Sequence, residues 1–184
     1  MTKVVISVLG TDRPGIVATV ARILLENGCN IEDVSQTTLQ TEFTGIFIAS
    51  IPEKLQPENL LTGLQTGVEP FGLHVLVKPL ETPEKPPVPS ACEPFVVTTV
   101  GPDRLGLVAG ITEVMARFGG NITNLRAAFR GGDDPECNTM IYEVDIPVDI
   151  DQKAFRQTLR ERAAALELDL SLQHRDIFEA IHRV

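Results

Sequence analysis

The sequence lacks any surplus of positive charge. Lysine and arginine total 16 against 25 aspartates and glutamates, a formal balance of −9 over 184 residues, so nothing in it suits a phosphate backbone, and no direct nucleic-acid contact is expected. Long apolar runs are missing too. Hydrophobic residues make up 43% of the chain, but charge or turn residues break every run well short of the roughly 20 needed to cross a bilayer. Met1-Thr2-Lys3 and the short stretch Val4 to Leu9 are too brief for a signal-peptide core, and no small-residue cleavage site precedes Asp12. A soluble cytoplasmic chain with no membrane contact is the expectation. Cys29, Cys92 and Cys137 are odd in number and unpaired in spacing, which argues against a disulfide framework or a zinc site. There is no nucleophile–base motif, no phosphate-cradling glycine loop and no metal-ligand set, so no catalytic residue, metal or cofactor is expected.

What is present is a repeat. Gly10-Thr11-Asp12-Arg13-Pro14-Gly15-Ile16-Val17-Ala18 returns 91 positions later as Gly101-Pro102-Asp103-Arg104-Leu105-Gly106-Leu107-Val108-Ala109, and Gly28, Asn30 and Ile31 return at the same shift as Gly119, Asn121 and Ile122. By Ile51-Pro52 and Ile146-Pro147 the shift has grown to 95, which implies a four-residue insertion, most simply Gly131-Gly132-Asp133-Asp134. Prolines at 79, 83, 86, 87, 89 and 94 separate the copies; they favour extended backbone and read as a semi-rigid linker.

Each copy reads as strand, helix, strand, strand, helix, strand. In the first, Lys3 to Leu9 is a strand, and Ile16, Val20, Ile23 and Leu24 line one face of a helix that Gly28 stops. Asn30 to Gln40 and Phe43 to Ile51 follow as strands, then a helix over about Pro57 to Gln65 with Leu60, Leu61 and Leu64 inward, then a strand through Leu73, Val75 and Val77. In the second, Leu107, Ile111, Val114, Met115 and Phe118 share one helical face, Phe155, Leu159, Ala163 and Leu166 another, and Leu168, Leu170 and Leu172 alternate as a last strand. This order predicts the α+β class: two ferredoxin-like βαββαβ domains, each an antiparallel four-stranded sheet with two helices on one face. The expected boundaries are 1–79, a linker 80–93, 94–175 and a tail 176–184 with a short helix. Such sheets leave edges that pair between copies or chains.

The repeated turn is where chemistry is most plausible. A helix N-terminus offers unpaired N–H groups and partial positive charge, suited to a carboxylate. Gly15 lets a ligand approach the backbone. Asp12 and the side-chain oxygen of Asn30, at the start of the facing strand, are placed to receive an ammonium group, so the site complements both ends of a free amino acid. Simpler roles stand beside these. Asp12 and Asp103 can cap their helices, Arg13 and Arg104 can be surface side chains, and Asn30 and Asn121 can belong to turns.

The run Gly-Thr-Asp-Arg-Pro-Gly-Ile-Val, followed by Gly-Cys-Asn-Ile-Glu-Asp from Gly28, resembles that of tandem ACT-domain regulators over nearly the whole chain. The resemblance implies the βαββαβ fold, side-by-side association through sheets, and small effectors, commonly amino acids, bound at interfaces. The ligand positions it implies are Gly10, Asp12, Arg13, Pro14, Gly15 and Ile16 with Asn30 and Ile31, and in the second copy Asp103, Arg104, Gly106, Leu107, Asn121 and Ile122. Leu105 stands where the first copy has Pro14, which leaves the second loop less rigid. By the same resemblance the chain is a non-enzymatic transcriptional regulator of glycine cleavage, a homodimer that senses glycine or a similar amino acid and reaches DNA through a protein partner, a DNA-binding activator. The alternative is an effector-free interaction module or a regulatory subunit of a metabolic enzyme.

Other signals have plainer readings. Gly131 to Asp134 is similar to a cyclase metal hairpin, but a hairpin turn accounts for it. His74, His174 and His182 form no metal spacing. Arg156, Arg160 and Arg162 make a solvated face diluted by Glu161. Cys29 reads as a packing residue.

Overall fold

A computed structural model describes residues 2–81, 91–128 and 138–182, with the side chains of Ala128, Ile181 and His182 excepted. The linker prolines 83, 86, 87 and 89, the Gly131–Asp134 insertion and Cys137 lie outside the described residues. The chain divides into two compact units, residues 1–85 and 86–184. The first runs β1 (Thr2–Thr11), α1 (Ile16–Glu26), β2 (Asn30–Leu39), β3 (Glu42–Ile51), α2 (Pro57–Val68), a 3-10 turn (Glu69–Phe71) and β4 (His74–Pro79). The second runs β5 (Cys92–Gly101), α3 (Leu107–Arg117), β6 (Asn121–Ala128), β7 (Asn138–Pro147), α4 (Gln152–Ala165), β8 (Asp169–His174) and α5 (Arg175–His182).

The sheets have the orders β2-β3-β1-β4 and β6-β7-β5-β8, with every neighbouring pair antiparallel. These are two ferredoxin-like βαββαβ units of the α+β class. The period-two alternation of β1 sends Val4, Ile6 and Val8 to the helix side, where Phe43, Phe47, Ala49 and Ile51 of β3 meet them. Ile16, Val20, Ile23 and Leu24 of α1 close that core from above. The second core is built likewise, from Phe95 and Val97, Met140, Tyr142, Val144 and Ile146, and the inward faces of α3 and α4. Phe118 and Leu166 are only partly buried at its margin.

α2 is longer than its glycines suggest. It continues to Val68, which takes the third inward position with Leu60 and Leu64, while Leu61 is half-buried rather than inward. Gly67 is there for packing: a Cβ on it would lie 2.3 Å from Cδ1 of Ile23 on α1.

The repeat extends to hydrogen-bond register. Asn30 pairs with Ser50 and Asn121 with Asp145, and each ladder shifts within the next three residues, between Ile31 and Asp33 and between Ile122 and Asn124. Each such bulge carries ionic contacts on the sheet face turned away from the helices. In the first unit Glu32 pairs with Lys3 at 2.5 Å and accepts from the Ser50 hydroxyl. In the second the cation comes from α5, where Arg175 reaches Asp145 at 3.1 Å and Glu143 at 4.0 Å.

Two glycine substitutions test this packing with opposite signs. Gly63 lies inside α2 with nothing within 4 Å of its would-be Cβ, so Gly63→Ala stabilises by about 0.5–1 kcal/mol in denaturant melts. At Gly101 a Cβ would meet the Glu167 carbonyl oxygen at 2.9 Å and Leu168 Cδ2 at 2.8 Å, so Gly101→Ala costs about 1–3 kcal/mol.

Candidate functional site

In both units the first strand hands over to its helix through a glycine in left-handed conformation. Gly15, at φ +99°, precedes α1, and Gly106, at φ +86°, precedes α3. A Cβ would meet only Phe71, at 3.8 Å, in the first case and nothing within 4 Å in the second. The left-handed backbone conformation by itself favours glycine at both positions, and no neighbouring protein atom demands it. Neither helix receives a side-chain cap, so its first N–H groups stay open to a ligand. α4 differs, because the Asp151 carboxylate accepts from Ala154 N–H at 2.9 Å.

Asp12 and Asp103 are not caps. Asp12 accepts from the Thr38 hydroxyl at 3.4 Å, and its own N–H donates to Thr41 O at 2.7 Å, which ties the loop to the β2–β3 turn. Asp103 accepts from Asn138 Nδ2 at 3.4 Å. A hollow opens above each helix start. The first, of about 240 Å³, is lined by Asp12, Arg13, Gly15, Ile16, Val17 and Ala18 with Gln36, Thr38 and Phe43. The second, of about 320 Å³, is lined by residues 103 to 109 with Asn138 and Met140.

Among the residues expected at the site, Asp12, Arg13, Gly15 and Ile16 are brought together, as are Asp103, Arg104, Gly106 and Leu107. Gly10 and Pro14 do not line the hollow, and Gly10 faces Leu73 and the Gly72 carbonyl instead. Arg104 is engaged elsewhere, donating to Leu166 O at 3.2 Å and pairing with Glu167 at 2.8 Å.

Asn30, Ile31, Asn121 and Ile122 are not at the hollows of their own units, which corrects the expectation of a site formed within one domain. β1 and β2 both run antiparallel to β3, so they are parallel to each other and start at the same end. Asn30 lies beside Ser50, which lies beside Lys3, whereas the loop follows Thr11. Eight residues at roughly 3.3 Å each separate the two by about 26 Å, far beyond the span of one amino acid. Ile31 and Ile122 pack against the cores, while Asn30 and Asn121 are exposed.

Sequence reasoning missed Gln36, Thr38, Phe43, Asn138 and Met140, which come from the strands below the loops. The signal was in the repeat: at the later shift of 95, Phe43 aligns with Asn138, an apolar core position turned polar.

Elsewhere, among the described residues, no group of three or more His, Cys, Asp or Glu side chains is placed to hold a metal. His174 stacks edge-on to Phe95 at 5.7 Å, and Arg156 lies over the same ring at 5.1 Å, so Arg156 is a packing residue as well as a charge. Cys29 is buried, and burial pushes its thiol pKa up, which disfavours the reactive thiolate. No helix of the described residues is long and apolar enough to cross a membrane.

The chain thus sets two ferredoxin-like units in tandem, each with an uncapped helix start above its sheet. The family model for the ACT domain matches residues 2–78 and 93–173, and the chain belongs to that family. The UPF0237 protein MK1213 of Methanopyrus kandleri is 39% identical over 79 residues, a match covering 42% of this chain and 88% of that one. A crystal structure of an unknown protein from Galdieria sulphuraria superposes with a TM-score of 0.73 at 22% identity, covering 94% of this chain and 98% of its own. Another, named "putative glycine cleavage system transcriptional repressor", gives 0.62 at 22% identity, covering 94% and 96%. At these identities the two structures share the fold.

Two measurements check the environments described. With Cys92 and Cys137 replaced by serine, native Cys29 reacts with a thiol reagent at least about tenfold more slowly than in denaturant; equal rates would contradict its burial. Lys3, and then Ser50, hold the Glu32 carboxyl below its ordinary value. Its contribution is therefore present above the ordinary carboxylate range and is lost as pH falls through the lower folded value. The stability difference between wild type and Glu32→Gln should shrink as pH drops from about 5 to about 3.

Proposed function

We propose that this chain is a non-enzymatic, amino-acid-responsive regulator that acts in the cytoplasm through contact with a protein partner, and that glycine cleavage is the process it regulates. The observation that carries the reading is the pair of uncapped helix starts, each with an aspartate beside it. Open N–H groups favour a carboxylate, and Asp12 or Asp103 favours an ammonium. The ACT family is regulatory, and the name of the tandem structure with TM-score 0.62 points to glycine cleavage. The charge of −9 suits a regulator that reaches DNA through a DNA-binding activator rather than directly.

Asn30 and Ile31 enter this reading through a second copy. β2 is an edge strand, exposed along nearly all its length, with Leu39 at 76% and Val34 at 50% exposure. Two such edges pairing antiparallel place the start of one β2 beside the end of the other, where Thr38 and Asp12 meet. A homodimer of this kind completes the site, and Asn121 and Ile122 stand in the same relation to the second loop. Regulation follows from a difference in effector affinity between arrangements of the assembly.

Isothermal calorimetry with glycine, serine and branched amino acids tests the effector, and sedimentation tests the assembly. The reading predicts saturable heat at millimolar ligand or below, and a dimer that Val34→Pro converts to monomer with weakened binding. No heat with any of these amino acids, together with no thermal shift, would overturn it.

A further inference from the structure

We infer that the outer face of the first unit's sheet, turned away from α1 and α2, is an interaction surface for a second copy of the chain, on which β2-paired dimers stack in twos. The inference rests on the β2 pairing proposed above and adds a contact that pairing does not contain.

Strand alternation fixes what that face carries. Val4, Ile6 and Val8 of β1 turn to the core, so Val5, Ser7 and Leu9 turn outward. Register sets Ile48 beside Val5, and Ile46 and Leu76 on either side of Ser7. The centre of the face is therefore apolar, and three of its side chains are open to solvent: Leu76 is 58% exposed, Leu9 49% and Ile46 46%. Formal charge stands at the rim, in Glu42 at one end and in Lys3, Glu32, Asp33 and Lys78 towards the other. Apolar side chains gathered on one exposed face mark an interaction site, as scattered ones do not. Neither α1 nor α2 reaches it, because both pack into the core on the opposite side.

The second unit shows how this fold disposes of the same face. Glu143 stands beside Val96 as Ile48 stands beside Val5, and Arg175 at the start of α5 pairs with Glu143 and Asp145. α5 packs against β5 and β8 there, and Val96 is buried. The face that carries charge is covered by its own unit, and the apolar one is left open.

Size and symmetry identify the occupant. Four strands about 4.8 Å apart, with ten residues along β1 at about 3.3 Å each, give one face of roughly 600 Å². That is short of the ~800 Å² that each side of a standard interface buries. Antiparallel β2 pairing about a two-fold normal to the sheet keeps both outer faces on one side, and joins them into a surface of roughly 1,200 Å². Two such dimers stack about a second two-fold that runs across the strands through Ser7. Ile46 then meets its own copy, Leu76 its own, and Leu9 the partner's Val5, with the sheets about 10 Å apart. Ser35 lies in the same row as Ile46 and Ser7, near the middle of β2. Pairing centred there makes the two axes cross, so the assembly closes at four copies with neither face left open.

Sedimentation of the full chain from low micromolar to millimolar concentration tests this. Wild type should pass from dimer to tetramer. Leu76→Lys and Ile46→Lys, at exposed positions outside the core, should stay dimeric throughout, and Val34→Pro should be monomeric because one face alone is too small. Leu25→Lys is the control: it charges a leucine 75% exposed on α1 and should leave the tetramer intact. A wild type that stays dimeric at millimolar concentration overturns the inference, gives the face to a different protein, and leaves the β2 pairing standing. A wild type that is monomeric throughout overturns both. Tetramers that persist in both sheet-face variants also overturn the inference, since another surface then joins the dimers. Should those variants fail to fold, the wild-type methyl resonances decide: those of Ile46 and Leu76 should shift as concentration rises while those of Leu25 stay in place, and unchanged Ile46 and Leu76 methyls overturn the assignment.

Discussion

The constraint on which the rest depends is the left-handed glycine that opens α1 and α3. With Gly15 and Gly106 at the N-cap positions, no side chain is available there to satisfy the first-turn N–H groups. Each unit thus carries a set of donors and a partial positive charge at the end of its sheet where Asp12 or Asp103 stands. Elsewhere the chain does what folded chains commonly do at helix starts: Asp151 caps α4, and Pro57 begins α2 with one fewer N–H to satisfy. The open starts coincide with the segment the repeat preserves best.

Around that shared element the two units have diverged in how they satisfy the same geometry. The bulges fall at equivalent registers, yet the charge that steadies each comes from β1 in one unit and from α5 in the other. The turn before the last strand is left-handed in both, at Gly72 with φ +67° and at Glu167 with φ +54°. The second costs roughly 1 kcal/mol or more in a residue with a Cβ, and there Arg104 pairs with the glutamate. Core positions Val8 and Phe47 correspond to Thr99 and Tyr142, and burial pushes the Tyr142 phenol up against the opposing effect of the Thr99 hydroxyl. The second unit admits polar groups where the first is apolar, and its hollow follows that pattern.

Most of the fold was legible because it rests on periodicity. Ile16, Val20, Ile23 and Leu24 announce a buried helical face, and the 91-residue repeat supplies a second instance of each element. The last turn of α2 is hidden in the sequence because Gly63 and Gly67 weigh against helix by propensity, whereas Gly67 makes room for Ile23. The site was half legible. The loop declares itself by composition and by repetition, but the position of Asn30 follows from strand direction, which residue spacing does not encode. Two parallel strands joined by one helix start at the same end of the sheet, so the residue just after the helix lies far from the turn just before it. The place of Asn138 is obscured in the sequence because it follows closely on the insertion, where the repeat changes its offset.

The account is tested most directly by the backbone amide 1H–15N resonances of the full chain during saturation with glycine. It predicts that the first-turn amides of α3, Leu107 to Ala109, move more than any others in the second unit, while Ala154 at the capped start of α4 stays in place. Shifts absent from α3, or concentrated at a capped helix start, would contradict it.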